Sequence, residues 1–180
     1  MKVLMFGWEF PPHIAGGLGT ACYGMTKGLA ANDVEVLFVM PSASGDEDES
    51  AVKIINASDV EMRYGAAKIG EFLGKVEFLR VGANLMPYID PVAFSELTES
   101  EQQFQENEFK IHFGQKYKFS GYYGKNLMEE IARYAMIGGE IAQQHTFDVI
   151  HAHDWLTYLA GIAAKRLSGK PLVIHVHATE

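Results

Sequence analysis

The sequence contains a single cysteine, Cys22, and this scarcity excludes an internal disulfide framework. A chain without disulfides suits a reducing compartment, so a cytoplasmic location is expected. Cys22 falls within a predicted helix, where a free cysteine most often acts as a small buried residue. We therefore assign it to the core rather than to nucleophilic catalysis.

Long hydrophobic runs are also lacking. No apolar stretch approaches the roughly 20 residues that a helix needs to span a bilayer. The apolar run near the N-terminus, residues 3–6, is short and is soon followed by two prolines, which does not match a signal peptide. The sequence therefore predicts no transmembrane segment.

Positive charge is scarce as well. Lysine and arginine total 15 against 23 aspartates and glutamates, so the formal net charge is −8. A basic surface for nucleic acid is not expected from this balance. The short acidic run at residues 46–49 is typical of a solvated loop rather than of a binding site.

The pattern that is present alternates strands and helices. Residues 3–6 predict a buried strand, residues 18–31 a helix, and residues 34–40 a second strand. Further along, the pattern predicts a helix over 121–145, a strand over 147–153, a helix over 155–167 and a strand over 171–177. This order predicts one domain over residues 1–180: an open, doubly wound, mostly parallel α/β sheet of the Rossmann-like class, with helices on both faces.

Two details qualify this fold. Residues 52–55 and 75–81 look like further strands, and we expect one or both toward an edge of the sheet, as antiparallel edge strands from residues 51–82. Gly138 and Gly139 weaken the middle of the long predicted helix and are expected to let another element pack closely there.

A glycine-rich segment connects the first strand to the first helix, and residues 9–19 are called the glycine loop below. Gly16, Gly17 and Gly19 lie where this loop becomes the helix, so unpaired N–H groups and the positive end of the helix dipole meet there. That combination suits a phosphate. A nicotinamide cofactor is disfavoured, because the glycines do not directly follow the strand and residues 39–41 lack the ribose-binding acid.

Two pairs of histidines follow at the carboxyl ends of later strands, where sheets of this class bind ligands. His151 shares a strand face with His153, and His175 shares one with His177. Such pairs suggest a metal site, as in a metal-dependent hydrolase. The favoured interpretation has one histidine of each pair packed and the other in a cleft, because Asp154 is the only adjacent acid.

Three segments together carry a resemblance to a known family. Residues 8–19, 148–155 and 171–180 resemble the N-terminal domain of retaining glycosyltransferases with two Rossmann-like domains (the GT-B type). The resemblance is to the glycogen and starch synthase group and the wider set of nucleotide-sugar transferases around it. It spans both ends of the chain in the right order.

The resemblance implies roles for individual residues. The backbone of Gly16, Gly17 and Leu18 would approach the donor diphosphate. His153 would be the catalytic-site histidine that hydrogen-bonds the donor sugar near the reacting carbon.

Other matching positions would line the cleft or lie toward the acceptor. Asp154 would fix the corner after its strand, and His177 would line the cleft. Asn126 falls in a stretch that resembles one near the acceptor. His13 would partly supply a positive charge when protonated.

Two positions depart from the family pattern. Glycogen and starch synthases commonly carry a lysine where this chain has Ile14, and a neutral side chain cannot replace that charge. They often carry an acid where this chain has Lys125. Both departures argue against glucan synthesis and leave the wider transferase class in place.

The implied function is that of the acceptor-side domain of a glycosyltransferase. It would use a nucleotide-sugar donor such as ADP- or UDP-glucose as substrate, a glycan or small-molecule acceptor, and neither cofactor nor metal. A C-terminal domain of its own would hold most nucleotide contacts, so residues 1–180 alone are expected to be inactive. The alternatives are the metal-dependent hydrolase and a non-catalytic sugar- or nucleotide-binding module.

Overall fold

The computed structural model describes residues 1–62, 116–124 and 126–177. Its regular elements form one five-stranded sheet with helices against it. In chain order they are β1 (Lys2–Phe6), α1 (Gly17–Ala30), β2 (Glu35–Met40), β3 (Lys53–Asn56), a short 3₁₀ turn (Ala57–Asp59), α2 (Leu127–Gln144), β4 (Val149–His153), α3 (Trp155–Ser168) and β5 (Leu172–His175).

The strand order is β3-β2-β1-β4-β5, and every pair is parallel. This confirms the predicted open, parallel α/β sheet. β1 lies in the middle because residues 3–6 are buried and apolar on both sides of the strand. The chain goes to one side of β1 first and later to the other, so the order reverses between β1 and β4. Such a switch point is where open α/β sheets bind ligands.

One prediction about the sheet edge is wrong. β3 lies at an edge, as expected, but it pairs with β2 in parallel, from Leu37 opposite Lys53 to Met40 opposite Asn56. A parallel pair needs a connection of about a dozen residues, and residues 41–52 are long enough to return to the other end of the sheet. The second predicted edge strand, residues 75–81, lies outside the described residues.

Two element boundaries also differ from prediction. α2 begins at Leu127 rather than near residue 121, because Gly121 has a φ of 72° and turns the chain. Glu130 holds this turn by accepting the N–H groups of Ser120 at 2.9 Å and Gly121 at 3.3 Å. α3 ends at Ser168, one residue beyond the predicted end at residue 167, and Gly169 closes it with a φ of 71°.

α2 and α3 pack together on one face of the sheet. A Cβ built on Gly138 would lie 3.0 Å from Cβ of Ala160 and 3.1 Å from the ring of Phe6. The close approach predicted at Gly138 is therefore present, and it lets α2 contact both α3 and β1. Phe6 pairs in register with Ala152, so this face includes both strands at the switch point.

α2 is also tied to the carboxyl ends of the central strands. The hydroxyl of Tyr134 donates toward the carbonyls of Gly7 at 3.0 Å and Val39 at 2.8 Å. Tyr134 is fully buried, so these contacts satisfy a hydroxyl that would otherwise be costly to bury. Among the described helices, none is both long and apolar enough to cross a membrane.

Candidate functional site

The start of α1 is open to a ligand. Gly16 precedes the helix with an extended backbone and no side-chain cap. A Cβ built on Gly17 would meet nothing within 4 Å, and Gly17 is exposed. The first N–H groups of a helix have no partner inside it, so an incoming oxygen can reach the backbone here.

Glu9 shapes the glycine loop from below. Its carboxylate is 6% exposed and accepts the N–H groups of Ala15 at 2.6 Å and Gly19 at 3.2 Å. Among the described residues, no hydrogen bond occupies the N–H groups of Gly17 and Leu18. Glu9 therefore holds the two ends of the turn and leaves the amides between them for a ligand.

Four histidines form an imidazole cluster at the carboxyl ends of β4 and β5: His151, His153, His175 and His177. Ring centroids lie 4.2 Å apart for His151 and His153, and 4.3 Å apart for His175 and His177. Nδ1 of His153 lies 2.8 Å from Nε2 of His177, so one proton is shared between these two rings. The predicted alternation thus brings all four rings to one face of the sheet.

His153 is the most enclosed member of the cluster. Its side chain is fully buried, and its Nε2 has no hydrogen-bond partner among the residues that the structure describes. The ligand atoms of Cys22, His153 and His177 all lie within 4.8 Å of one another. Since Cys22 lies in the second turn of α1, His153 faces the same side of the sheet as the helix that follows the glycine loop.

Burial keeps His151, His153 and His177 uncharged near neutral pH. Desolvation, followed by the neighbouring imidazoles, lowers the pKa of His153 to about 3 and that of His151 to about 4. The pKa of His177 is lowered for the same reasons. Burial, helped by Glu9, raises the pKa of the Cys22 thiol to about 12. These three residues therefore offer neutral imidazoles, and Cys22 offers a thiol.

Two sets of side chains in the described residues are arranged so that they can hold a metal. One is Cys22, His153 and His177, and the other is His151, His153 and His175. Nitrogen and sulfur ligands of this kind suit zinc. Neither set includes a carboxylate, and Nδ1 of His153 is already engaged by His177.

Asp154 forms the turn that follows the cluster. Its backbone has φ 64° and ψ 167°, a region that few residues other than glycine adopt, and its carboxylate accepts the N–H of Trp155 at 3.0 Å. Its own N–H donates to the carbonyl of His175 at 2.8 Å. Asp154 thus caps α3 and joins the ends of β4 and β5.

The remaining predicted residues lie farther from the cluster. His13 is exposed, and its Nε2 lies 2.8 Å from a carboxylate oxygen of Asp46. Asn126 is exposed before α2 and makes no capping bond with its side chain; none of its described contacts reaches the imidazoles. Ile14 is 42% exposed, and Lys125 lies outside the described residues.

Sequence reasoning missed two contributors to the site. The sequence does contain a signal for Glu9, since it is the one charged residue among residues 3–10, which are otherwise apolar. The burial predicted for Cys22 is confirmed, but its place beside His153 was not predicted. No local signal connects residues so far apart in the chain.

Comparison with known proteins gives consistent results. The family described as "Starch synthase catalytic domain" matches residues 2–180. The chain is 26% identical over 180 residues to "Uncharacterized glycosyltransferase MJ1607" of Methanocaldococcus jannaschii, covering 100% of this chain and 32% of that protein. It is likewise 26% identical over 180 residues to "Glycogen synthase" from two strains of Mycobacterium tuberculosis, covering 34% of each. The chain thus spans about a third of the length of these curated relatives.

Proposed function

The chain belongs to the starch synthase catalytic domain family, and we propose that it forms the N-terminal, acceptor-side domain of a glycosyltransferase. The complete enzyme would move a sugar from a nucleotide-sugar donor, such as ADP- or UDP-glucose, to a glycan or small-molecule acceptor. A C-terminal domain would close over the carboxyl ends of the strands and hold most of the nucleotide. The proposal is supported by the names of the relatives, a glycosyltransferase and a glycogen synthase, which are about three times as long as this chain.

The observation that carries the proposal is the buried Nε2 of His153. Within the described part of the chain this nitrogen has no partner, and a buried polar atom left unpaired costs about 1–3 kcal/mol. An oxygen of a bound ligand would recover that cost. A donor sugar whose diphosphate lies at the start of α1 would bring its hydroxyl groups to this side of the sheet.

The diphosphate would be held mainly by backbone groups. The N–H groups of Gly17 and Leu18, together with the dipole of α1, favour an anion. The glycine loop contains no lysine or arginine, and His13 is engaged by Asp46. Because His151, His153 and His177 are neutral as well, the compensating positive charge would come from the proposed C-terminal domain.

In the proposed reaction the chain contributes position and hydrogen bonds rather than covalent chemistry. The configuration at the transferred carbon would be retained, and departure of the nucleoside diphosphate would drive the transfer. Stabilising that leaving group is an electrostatic task that preorganised N–H groups perform well. His153 would hold the donor sugar, with Asp154 fixing the turn behind it and His177 supporting the ring.

Replacing His153 in the full-length protein tests this function. His153→Ala is expected to lower kcat about 100- to 1,000-fold while nucleotide-sugar binding is retained, because a hydrogen bond at the reacting centre is removed. The matched control is His145→Ala, which removes a histidine after α2 at the opposite end of the sheet and should leave kcat near the wild-type value. An unchanged kcat in His153→Ala contradicts the assignment.

Measurements on the purified full-length protein also distinguish the transferase from the two alternatives, a metal-dependent hydrolase and a non-catalytic binding module. The family description and the relatives' names refer to synthases and a glycosyltransferase, and none refers to a hydrolase. A metal-dependent hydrolase requires a stoichiometric metal in purified protein and loss of turnover on chelation. A non-catalytic module requires binding of nucleotide sugar without any transfer by the full-length chain.

A further inference from the structure

The contact between His153 and His177 admits only two neutral arrangements. The distance between Nδ1 of His153 and Nε2 of His177 is 2.8 Å, which requires one proton between the two nitrogens. Either His177 donates from Nε2, or His153 donates from Nδ1. A neutral imidazole carries one proton, so each choice also determines the state of the other two ring nitrogens.

The two arrangements differ in tautomer. If His177 donates, both rings carry their proton on Nε2, which is the more stable tautomer of free histidine. If His153 donates, both rings carry their proton on Nδ1. The first arrangement therefore makes the same hydrogen bond without placing either ring in its less stable form.

The surroundings keep both rings neutral. Burial and the neighbouring imidazoles lower the pKa of each, and Asp154 opposes this shift only for His177, where it is the smallest of the three causes. The nearby Cys22 stays a thiol because burial raises its pKa, so it presents no negative charge that would stabilise a protonated ring. A positively charged imidazolium pair is thus disfavoured on this face of the sheet.

We propose that His177 is a positioning residue that holds His153 as the neutral Nε2–H tautomer, so that the buried Nε2–H donates to an oxygen of the donor sugar. This inference rests on the proposed function for the identity of the ligand. Because His177 occupies Nδ1, Nε2 is the nitrogen of His153 that is left for the ligand. A neutral donor holds a sugar hydroxyl without adding a charge that would bind the departing diphosphate.

Imidazole ¹⁵N NMR of the 180-residue chain tests the tautomer without requiring activity. We expect His153 to show a protonated Nε2 and a hydrogen-bonded, unprotonated Nδ1. His177→Leu should remove the hydrogen-bond shift at Nδ1 and give a mixture of tautomers. His177→Gln, whose amide N–H reaches a similar position, should preserve the wild-type signature.

The matched control for these spectra is His175→Gln. His175 lies with its ring centroid 5.1 Å from that of His153, but the structure shows no hydrogen bond between these two rings. Its replacement should leave the tautomer of His153 unchanged. A proton on Nδ1 of His153 in the wild-type protein, or an unchanged signature in His177→Leu, overturns the proposal.

Kinetics of the full-length enzyme with ADP- and UDP-glucose supply the second measurement. His177→Leu should lower kcat about 10- to 100-fold, the usual cost of losing a partner that orients a functional histidine. His177→Gln should recover most of that loss, and equal losses in both variants overturn the orienting role. If the wild-type enzyme transfers no sugar, the proposed function fails, while the NMR spectra still decide the tautomer.

Discussion

Glu9 shows how a single side chain determines the shape of the turn before α1. Its two carboxylate oxygens accept two backbone N–H groups that are separated by the glycine pair. Hydrogen bonds to a carboxylate are stronger than those between neutral groups, and burial strengthens them further. The amides between these two anchors are thereby kept facing outward.

Glu9→Gln is expected to lower the free energy of unfolding by about 1–3 kcal/mol. Glutamine keeps the size of the side chain but replaces one acceptor oxygen with an NH₂ group. One of the two buried N–H groups, that of Ala15 or of Gly19, then loses its acceptor. Urea unfolding followed by tryptophan fluorescence measures the change.

The control for this substitution is Glu35→Gln. Glu35 pairs with Lys2 at 2.6 Å on the surface, where such pairs contribute about 0–1 kcal/mol. Equal effects of the two substitutions would show that the loop does not depend on the carboxylate of Glu9.

The buried imidazole of His153 predicts a pH dependence of stability. Its pKa is lowered from the usual 6.5 to about 3, so below pH 6.5 the unfolded chain takes up a proton that the folded chain does not. The free energy of unfolding is therefore unaffected by His153 above that pH. It decreases as the pH falls below 6.5, by up to about 1.4 kcal/mol per pH unit. His151, with a pKa lowered to about 4, acts in the same direction.

Urea unfolding at pH 7, 6 and 5 checks this prediction, because most carboxylates remain ionised over that interval. His153→Gln should flatten the profile, since glutamine does not titrate. A wild-type stability that stays constant from pH 7 to pH 5 would show that His153 and His151 are not buried in their neutral forms.

At the scale of elements, the contact between α2 and α3 depends on small residues. Gly138→Ala would place a methyl group 3.0 Å from Cβ and 3.2 Å from Cα of Ala160, which is closer than normal packing allows. Because the contact involves the backbone of a packed helix, relief requires the two helices to separate. The expected result is a loss of roughly 1 kcal/mol in unfolding free energy, despite the better helix propensity of alanine.

Gly24→Ala is the matched control for that substitution. Gly24 lies in α1, is exposed, and a Cβ built there would meet nothing within 4 Å. The same change should therefore raise stability by about 0.5–1 kcal/mol through helix propensity and chain entropy. Thermal or urea unfolding that gives both substitutions the same sign contradicts the packing argument.

At the scale of the molecule, charge predicts how residues 1–180 behave alone. The chain has a net charge of −8, its glycine loop has no lysine or arginine, and the buried imidazoles of His151 and His153 are neutral. A nucleotide diphosphate therefore meets backbone N–H groups but little compensating positive charge. We expect weak binding of ADP- or UDP-glucose and no measurable sugar transfer by these residues alone.

Calorimetric titration and a coupled assay for released nucleoside diphosphate check this expectation. The full-length enzyme, measured under the same conditions, is the positive control. Clear turnover by residues 1–180 would show that this chain by itself contains the charges needed for the leaving group.

Local patterns in the sequence predicted much of the fold. Alternation of apolar strands and helices predicted the order of the elements and the parallel sheet, and the predicted end of α3 lies within one residue of the observed one. The parallel pairing of β3 was not predicted, because residues 53–56 carry no local signal of the direction in which a neighbouring strand runs. Strand direction depends on the path of the whole connection.

The sequence by itself determined which residue types reach the carboxyl ends of the strands. A period of two places His151 and His153 on one face, and the glycines after β1 require a turn before α1. Only the tertiary structure decided their partners: Glu9 with the loop amides, His177 with Nδ1 of His153, and Cys22 beside both rings. The physical reason is that periodicity specifies the face of an element, whereas a hydrogen bond between distant residues depends on how the elements pack.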